Sequence, residues 1–595
     1  MNVRTTILLL SLVLLLGSII LLLNRRVEST RTRAERSGHA LAFDPDAVKD
    51  LRMEAGAVSL ECVKGSHGWR MIKPFDARVD EGEINRILAT LADLPDLEKI
   101  SARDMEDRQL KADDYGFAQP RARITLGDTE KKRIFAVGRD APLGSALYIM
   151  EVGQGDMVLT STNILSVLPS TLADLRDKAL FVGRPDQVRK LEIRTPSGFM
   201  QLVGGAQGNW TIQQPFTGRA DRSTVQNLVM QLMGLRVIDF VAEEAVDLES
   251  YGLDDGATMI ILGLDEKTGP QVLLIGDPVE KNPGQVFVKL QSEKPIMTVS
   301  RDIADRLLLR PDDVRDRRLM PMPPYAIQGI EVKEGPSVIK LTRKADEGWY
   351  VVEPRSWKAD DRQVSLLLSQ MAACRIEEFK DYRSVDEDKE SWVSPLMTIR
   401  LSSQETDAST PALSWIFAAL TNRADLALAR VDEEKLFAVV SNRMLKSFSV
   451  DPLFYRDREV WNLDTNRVQK VAVVMGGREQ AFETTGPEDY KALAPKDARV
   501  NAEAAKDLLM VMNRMEALAF VTADPKDLAP YGLEAPRAVI TVSWAGKPGT
   551  SKVLLLGGDW GHEGVYAMFR GEDVIFVLAP EVRDKLLGNL MASSP

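Results

Sequence analysis

Residues 210–232 read WTIQQPFTGRADRSTVQNLVMQL and contain the pattern that recurs along the chain. Pro215 follows Trp210 by five residues, and Asp221 follows Pro215 by six. Beyond Asp221, apolar residues stand at the fourth, seventh, eighth and eleventh positions, which is the spacing of one face of an amphipathic helix. An aspartate directly before such a stripe is typical of a helix N-cap. The segment therefore predicts a strand-like stretch, a proline turn and a helix that begins after Asp221.

The same pattern occurs four times in register. Its members are Trp69, Pro74 and Asp80; Trp210, Pro215 and Asp221; Trp349, Pro354 and Asp360; and Tyr490, Pro495 and Asn501. Successive prolines are 141, 139 and 141 residues apart, which indicates tandem repeats. A catalytic carboxylate is the alternative interpretation of the four cap positions. It is disfavoured because the amide of Asn501 cannot transfer a proton.

The repeats are expected to span residues 39–182, 183–322, 323–462 and 463–595, and the third is the most divergent. Short apolar runs bounded by turn residues, such as 259–262 and 272–277, predict strands. Each repeat adds one amphipathic helix and a short terminal helix. The predicted fold class is therefore α+β, with a mainly antiparallel sheet in each repeat.

Residues 1–38 form a separate N-terminal segment. From Thr5 to Leu23 there are 19 uncharged residues, and a helix of that length covers the ~30 Å hydrocarbon core of a bilayer at ~1.5 Å per residue. The sequence therefore predicts an N-terminal transmembrane helix, which forms part of the expected fold class, followed by a polar tether. A cleaved signal peptide is the alternative, although the apolar stretch runs into Arg25 and Arg26 rather than into small residues.

The flanking charges bear on the orientation of this segment. Arg4 precedes it, whereas Arg25, Arg26, Arg31, Arg33 and Arg36 follow it. The positive-inside rule alone would place the body of the chain in the cytoplasm. Because long domains translocate largely regardless of charge, we expect a single-pass protein of the bacterial inner membrane with a periplasmic body.

A second motif, Arg-Asp followed by Lys or Arg, recurs at the end of three repeats. It occurs at Arg176-Asp177, Arg315-Asp316 and Arg456-Asp457, which lie 102, 100 and 102 residues after the respective prolines. In the fourth repeat the same offset falls near position 596. Because the motif occurs where another repeat follows, we predict that it is a connector, which holds one repeat against the next through ion pairs and hydrogen bonds.

Composition argues against several classes of function. A net charge of −11 argues against a nucleic-acid partner, which would require a basic surface. Two cysteines and three histidines leave few ligands for a metal site. Asp559, His562 and Glu563 lie close together in a Gly-rich stretch, but the aligned stretch 276–284 has no histidine, so an ordinary loop is favoured. The sequence predicts no catalytic residue, no cofactor and no metal.

Three signatures carry a family resemblance: Trp210 to Pro215, Tyr251-Gly252-Leu253, and Leu273 to Asp277. With the apolar N-terminus, they resemble bacterial proteins with DUF4340 domains, from Phe43 onward and most clearly in the second and fourth repeats. The resemblance implies a membrane-anchored envelope protein that is associated with ABC transporter components of the gliding-motility type. It implies no reaction and no catalytic residues.

The sequence thus predicts a non-enzymatic interaction or accessory protein of the bacterial envelope. Its expected partners are the membrane, through one N-terminal helix, and a protein, with ABC-transporter subunits as the candidates. The alternative from another class is an envelope polysaccharide-modifying hydrolase that uses carboxylates in the divergent third repeat, where the segment 402–414 is extended. A ligand-binding sensor is a further alternative.

Overall fold

The structure is a computed structural model that describes residues 38–592, except 67, 129–130, 143, 206–207, 265–268, 381–391, 404–412, 421–422, 432–433 and 545–549. The expected transmembrane helix over Thr5–Leu23 and most of the tether lie outside the described residues. The chain divides into two compact units, Met1–Val314 and Arg315–Pro595. The first unit contains the first two expected repeats up to Val314, and each unit is described by itself below.

In the first unit, the first repeat contains a nine-stranded sheet. The strands are β1 (Asp50–Ala55), β2 (Val58–Gly65), β3 (Gly68–Lys73), β4 (Ala77–Arg78), β5 (Glu98–Ile100), β6 (Ala122–Gly127), β7 (Lys132–Asp140), β8 (Ala146–Glu151) and β9 (Met157–Ser161). The helices are α1 (Glu81–Ala92) and α2 (Ala102–Asp107). Along the sheet the order is β4-β3-β2-β1-β6-β7-β8-β9-β5.

The second repeat repeats this arrangement. Its strands are β10 (Lys190–Thr195), β11 (Gly198–Gly204), β12 (Trp210–Gln214), β13 (Gly218–Arg219), β14 (Phe240–Ala242), β15 (Thr258–Gly263), β16 (Pro270–Val279), β17 (Asn282–Leu290) and β18 (Ile296–Ser300). Its helices are α3 (Arg222–Met233) and α4 (Arg301–Leu307). The order is β13-β12-β11-β10-β15-β16-β17-β18-β14, which matches the first sheet strand for strand.

The second unit begins with the third repeat. Its strands are β19 (Ile327–Glu334), β20 (Ser337–Lys344), β21 (Gly348–Glu353), β22 (Trp357–Lys358), β23 (Ile376–Phe379), β24 (Met397–Ser403), β25 (Leu413–Ala419), β26 (Leu426–Val431) and β27 (Leu436–Ser441). Its long helix is α5 (Asp361–Ala373). The order, β22-β21-β20-β19-β24-β25-β26-β27-β23, is again the same.

The fourth repeat contains an eight-stranded sheet and a small two-stranded one. The small sheet pairs β28 (Glu459–Trp461), which lies just before the fourth repeat, with β32 (Met515–Glu516). The large sheet consists of β29 (Val468–Met475), β30 (Arg478–Gly486), β31 (Asp489–Ala494), β33 (Ala519–Ala523), β34 (Ala538–Trp544), β35 (Ser551–Trp560), β36 (Gly564–Phe569) and β37 (Val574–Leu578). Its helices are α6 (Ala502–Asn513) and α7 (Pro580–Leu586). The order is β31-β30-β29-β34-β35-β36-β37-β33.

The long helix of each repeat lies across one face of its sheet. It follows a strand at one edge of the sheet and precedes the strand at the opposite edge, so the chain must cross the face between them. The apolar stripe of the helix is buried against that face, as the sequence pattern predicts. The buried stripe of α1, for example, is Ile84, Ile87, Leu88 and Leu91. The core of each repeat therefore lies between the long helix and the sheet.

The predicted N-caps are present at all four helices. The side chain of Asp80 accepts from the backbone N–H of Gly82 and of Glu83. Asp221, Asp360 and Asn501 cap their helices in the same way. An oxygen acceptor at this position satisfies N–H groups that have no partner within the helix, and an amide oxygen serves as well as a carboxylate.

The four aromatic residues of the pattern, which we call the landmark aromatics, lie in equivalent places. Trp69, Trp210 and Trp349 are buried in the cores of their repeats, and Tyr490 is half-buried against the fourth core. In the first three repeats each stands on the second strand of the sheet order, and in the fourth repeat it stands on the first strand. The four landmark prolines, Pro74, Pro215, Pro354 and Pro495, all follow cis peptide bonds.

The predicted fold class, which includes a transmembrane helix, is wrong for the part of the chain that the structure describes. No helix there is long and apolar enough to cross a membrane. The long helices have 12 or 13 residues, and thus a length of about 18–20 Å, and they carry one polar face. The described chain consists of sheet-rich repeats with antiparallel pairing.

The short terminal helix also differs between repeats. It is an α-helix in the second and fourth repeats, as α4 and α7, but a 3-10 helix in the first (Thr162–Val167) and the third (Leu445–Ser447). The first repeat has the additional helix α2, which the sequence pattern did not predict.

Replacing Trp210 with alanine tests the role of the landmark aromatics. We expect a loss of about 3–5 kcal/mol in the free energy of unfolding of the first unit, because a large buried side chain leaves a cavity. Urea denaturation of the full chain, followed by tryptophan fluorescence and circular dichroism, measures this change. Val246→Ala is the control, since Val246 is fully exposed. A Trp210→Ala protein that unfolds at the urea concentration of the parent would contradict the assignment of Trp210 to the core.

Candidate interaction site at the repeat junctions

In the first unit, the connector around Arg176 pairs with both repeats through its backbone. Towards the first repeat, Arg176 forms an isolated β-bridge with Val79, and the N–H of Asp177 donates to the carbonyl of Arg78 at 3.2 Å. Towards the second repeat, the N–H of Val237 donates to the carbonyl of Lys178 at 2.8 Å. The connector therefore runs from the start of α1 to the segment that follows α3.

The side chain of Arg176 lies between aromatic rings of the two repeats. Its guanidinium carbon is 3.5 Å from the ring centroid of Phe240 in the second repeat and 5.1 Å from that of Phe75 in the first. Two hydrogen bonds of 2.7 and 2.9 Å join it to the carboxylate of Glu243. Only 4% of Arg176 is exposed. A cation between two rings is attracted by both ring faces, and a desolvated contact of this kind contributes about 2 kcal/mol.

Burial lowers the pKa of Arg176, and the negative charge of Glu243 opposes that change. An arginine nevertheless keeps its proton under all physiological conditions. The junction therefore holds a permanent positive charge out of water, and it is stable only while Glu243 and the rings remain in place.

Asp177 adds a second ion pair to this junction. Its carboxylate accepts from Arg78 at 3.0 Å, and Arg78 also donates to the carbonyl of Ala179 at 2.7 Å. A carboxylate oxygen of Glu293 in the second repeat lies 2.7 Å from Nε of Arg78. Arg78 thus links the first repeat to the connector and to the second repeat.

The connector of the second unit has the same design. The guanidinium carbon of Arg456 lies 5.1 Å from the ring of Trp357 in the third repeat and 5.0 Å from the ring of Phe520 in the fourth. Arg456 forms a β-bridge with Ala359, and Asp457 pairs with Lys358 at 3.6 Å. Burial lowers the pKa of Arg456, and the negative charges of nearby acids oppose this change.

A further ion pair supports the junction of the second unit. Arg355 in the third repeat donates to Asp524 at 2.8 Å and to Asp573 at 2.5 Å, both in the fourth repeat. These hydrogen bonds raise the pKa of Arg355. The contact is exposed, so we regard it as a minor contribution beside the buried Arg456.

The remaining connector is at Arg315 and Asp316. The guanidinium carbon of Arg315 lies 3.6 Å from the ring centroid of Phe379. Asp316 is 4% exposed and accepts from the backbone N–H of Arg318 at 2.9 Å. Arg317 donates to the carbonyls of Ile376 and Glu377.

The sequence patterns did not predict the rings that contact the connector arginines. Phe240, Phe379 and Phe520, which we call the junction rings, each stand 25 residues after the landmark proline of their repeat. In the first repeat, which follows no connector, that position is Lys99, and Lys99 pairs with Asp156. The offset was a readable signal, because an aromatic occupies it only in the three repeats that a connector precedes.

In the fourth repeat, the counterpart of the connector lies at Met591 rather than near position 596. Met591 forms the β-bridge with Val500, and the N–H of Ala592 donates to the carbonyl of Arg499 at 2.7 Å. The backbone contact is therefore kept, while methionine stands in the place of arginine and alanine in the place of aspartate.

Other candidate groups do not form a reactive cluster. Within the described residues, no three His, Cys, Asp or Glu side chains are grouped so that they could hold a metal ion. Burial raises the pKa of Cys62 to about 12 and that of Cys374 to about 11, so both thiols stay protonated and unreactive. Most of the extended segment 402–414, on which the hydrolase alternative depends, lies outside the described residues.

Among the described residues, Glu192 on β10 has the carboxylate with the most strongly shifted pKa. Burial acts to raise its pKa, but hydrogen bonds from Lys190, Arg194 and Gln201 outweigh burial and lower the pKa to about 2. Three donors thus hold Glu192 ionised on a face of the second sheet. This arrangement stabilises the sheet and does not suit a general acid.

The family model described as "Domain of unknown function (DUF4340)" matches residues 69–244, 210–349, 349–536 and 494–591. The first three matches begin at landmark aromatics, run into the following repeat and contain a connector. No curated protein matches the chain. One solved structure, of a Ca²⁺-stabilized adhesin with which an Antarctic bacterium binds ice, aligns over 92% of this chain and 94% of its own at 7% identity and a TM-score of 0.08. A TM-score this low does not indicate a shared fold.

Replacing Arg176 with alanine tests the junction of the first unit. We expect the free energy of unfolding to fall by about 1–3 kcal/mol, because Glu243 and the rings lose their partner at a partly desolvated contact. We also expect a larger radius of gyration in solution scattering at unchanged far-ultraviolet circular dichroism. Arg184→Ala, an exposed arginine nearby, is the control. Scattering and unfolding curves identical to those of the parent would show that the junction does not hold the repeats.

Glu192 predicts a specific response to acid. Because its pKa is lower in the folded chain than in the unfolded chain, its stabilisation is complete above about pH 4.5 and is lost as the pH falls towards 2. We expect the parent to lose on the order of 2 kcal/mol more than Glu192→Gln between pH 5 and pH 2. Urea denaturation at several pH values measures the difference, with the exposed Glu280→Gln as the control. Parallel acid profiles for the parent and Glu192→Gln would disprove this role.

Proposed function

Since the chain belongs to the DUF4340 family, which is described as a domain of unknown function, we propose from the geometry of its junctions that it is a non-enzymatic interaction protein. The repeats would present an extended surface to a protein partner, as repeat proteins do. The observation that carries the proposal is the connector arginine held between the rings of two successive repeats.

This observation favours a binding surface for a physical reason. A junction of apolar side chains alone would tolerate small sliding movements, whereas a guanidinium with two hydrogen bonds to Glu243 and a ring on either side has one favourable position. Successive repeats within a unit are thereby held at a defined angle and distance. A partner that contacts two repeats at once needs such a fixed spacing.

The family matches support the same proposal. Three of the four matches contain a connector, so the family model matches this chain across junctions as well as sheets. An enzyme would instead need one distinctive group of residues in one repeat.

The setting that we propose is the bacterial cell envelope, with ABC-transporter-type membrane components as the partner. The support is the resemblance of the Trp-x4-Pro, Tyr-Gly-Leu and Leu-Leu-Ile-Gly-Asp signatures to envelope proteins. The proposal of an interaction surface depends on the described repeats. It does not depend on whether the N-terminal segment is kept or cleaved.

Cross-linking in living cells tests the proposed function. We expect the full chain, purified after cross-linking, to bring down a fixed set of proteins that includes transporter membrane subunits. The double variant Arg176→Ala, Arg456→Ala should recover at least several-fold less of that set, because it alters the spacing of repeats in both units. The control is Arg184→Ala, which should recover the parental amount. Recovery of no protein above background, or turnover of envelope polysaccharide by the purified chain, would overturn the proposal.

A further inference from the structure

The first and third repeats share a contact between the landmark aromatic and the long helix. In the first repeat, the backbone N–H of Trp69 donates to the carboxylate of Glu81 at 3.2 Å. In the third, the N–H of Trp349 donates to the carboxylate of Asp361 at 2.7 Å. Glu81 and Asp361 are the first residues of α1 and α5. In these two repeats a carboxylate thus ties the aromatic strand to the start of the helix.

The second and fourth repeats have no acceptor at this position. Arg222 begins α3 and Ala502 begins α6, and neither side chain can accept a hydrogen bond. The guanidinium of Arg222 lies instead beside Gly208, close to the landmark Trp210. In these two repeats, the first residue of the long helix therefore supplies no carboxylate to the landmark aromatic.

The same two repeats each contain a groove between the hairpin and the long helix, which we call the hairpin groove. It has a volume of about 720 Å³ in the second repeat and about 650 Å³ in the fourth. In both repeats it is lined by a 3-10 turn, the hairpin, the landmark aromatic and the helix. A cavity also lies beside the hairpin of the third repeat, but α5 does not contribute to its lining. The hairpin groove is therefore a feature in which the second and fourth repeats match each other.

An exposed methionine lies on the helix side of each groove. Met230 is 52% exposed and Met510 is 54% exposed, and both are nine residues after their N-caps. The first and third repeats have Ala89 and Ser369 at this position. Methionine side chains are flexible and polarizable, and they adapt to apolar groups of different shape. An exposed methionine inside a groove therefore favours contact with an apolar side chain.

The charges around the grooves favour an acidic occupant. In the second repeat, Arg189 lines the groove and Arg222 lies at its hairpin end. In the fourth, Arg467 and Lys506 line it. Each groove also has one acid, Asp186 and Glu488, and Glu488 already pairs with Lys506. A carboxylate that enters from outside thus meets more positive than negative charge.

We propose that the second and fourth repeats each bind a linear acidic segment of a protein partner in the hairpin groove. An apolar side chain of that segment packs against Met230 or Met510. A carboxylate next to it lies near the landmark aromatic, in the place that Glu81 and Asp361 take in the first and third repeats. This inference rests on the proposed function and names the chemistry by which the partner is recognised.

A library of random linear 12-residue peptides, displayed on phage and selected on the immobilised full chain, tests the proposal. We expect the enriched peptides to combine Asp or Glu with Leu, Ile, Met or Phe. The best peptide, labelled with a fluorophore, is then titrated with the full chain and its variants by fluorescence polarisation. Selection of no binder, or of binders without an acidic residue, overturns the proposal.

Two double variants change the groove in different ways. Met230→Lys with Met510→Lys removes the apolar contact, and Arg222→Asp with Ala502→Asp supplies the missing carboxylate from the chain itself. Each should weaken peptide binding at least tenfold. The matched control is Leu366→Lys, since Leu366 is 55% exposed on the long helix of the third repeat. It should leave the affinity unchanged, and none of the three variants should unfold at a lower temperature than the parent. Unchanged affinity in both double variants overturns the groove as the binding site.

The same variants separate this inference from the proposed function. If cross-linked partners are recovered equally with the parent and with Met230→Lys, Met510→Lys, the interaction function stands and the groove is not its recognition site. If the acidic peptides bind in the grooves but no partner is recovered from cells, the proposed function fails while the groove remains a peptide site.

Discussion

A guanidinium held between two aromatic rings is the interaction on which the arrangement of the two repeats within each unit depends. Moving the charge of Arg176 out of water has a desolvation cost that only a close carboxylate and the faces of two rings can offset. That balance holds at one relative position of the two repeats, because a small displacement separates the cation from its acceptors. The sheets themselves are independent cores, so the geometry within a pair is set by a few polar atoms at the junction.

The residues of the junction come from three separate places in the chain. The connector supplies Arg176 and Asp177, the stretch after the landmark proline supplies Phe75 and Arg78, and the edge strand β14 supplies Phe240. The strand order explains this convergence. Because the long helix carries the chain from one edge of the sheet to the other, the start of the helix in one repeat and the edge strand after the helix in the next can meet at a single connector. The strand order thereby brings the parts of the junction together.

The sequence predicted local features and the position of the connectors, but not the rings and carboxylates that the connectors contact. The helices and their N-caps follow from a short periodic pattern and one capping residue, and both signals lie within about a dozen positions. The junction rings were missed because a single phenylalanine in an edge strand resembles any other until the connector is placed against it. The position of Met591 was missed because an offset counted from Pro495 assumes loops of equal length. The proposed occupant of the hairpin groove depends on the fact that Arg222 and Ala502 supply no hydrogen-bond acceptor. The absence of an acceptor does not form a motif in the sequence.

The two ends of the repeat series carry residues that cannot take part in the chemistry of the connectors. Lys99 stands where a junction ring would receive an incoming arginine, and a cation there would repel it. Met591 stands where an outgoing arginine would be, and it has no charge to place on a ring. A contact between the fourth repeat of one copy and the first repeat of another would therefore lack both the cation and the ring of a connector.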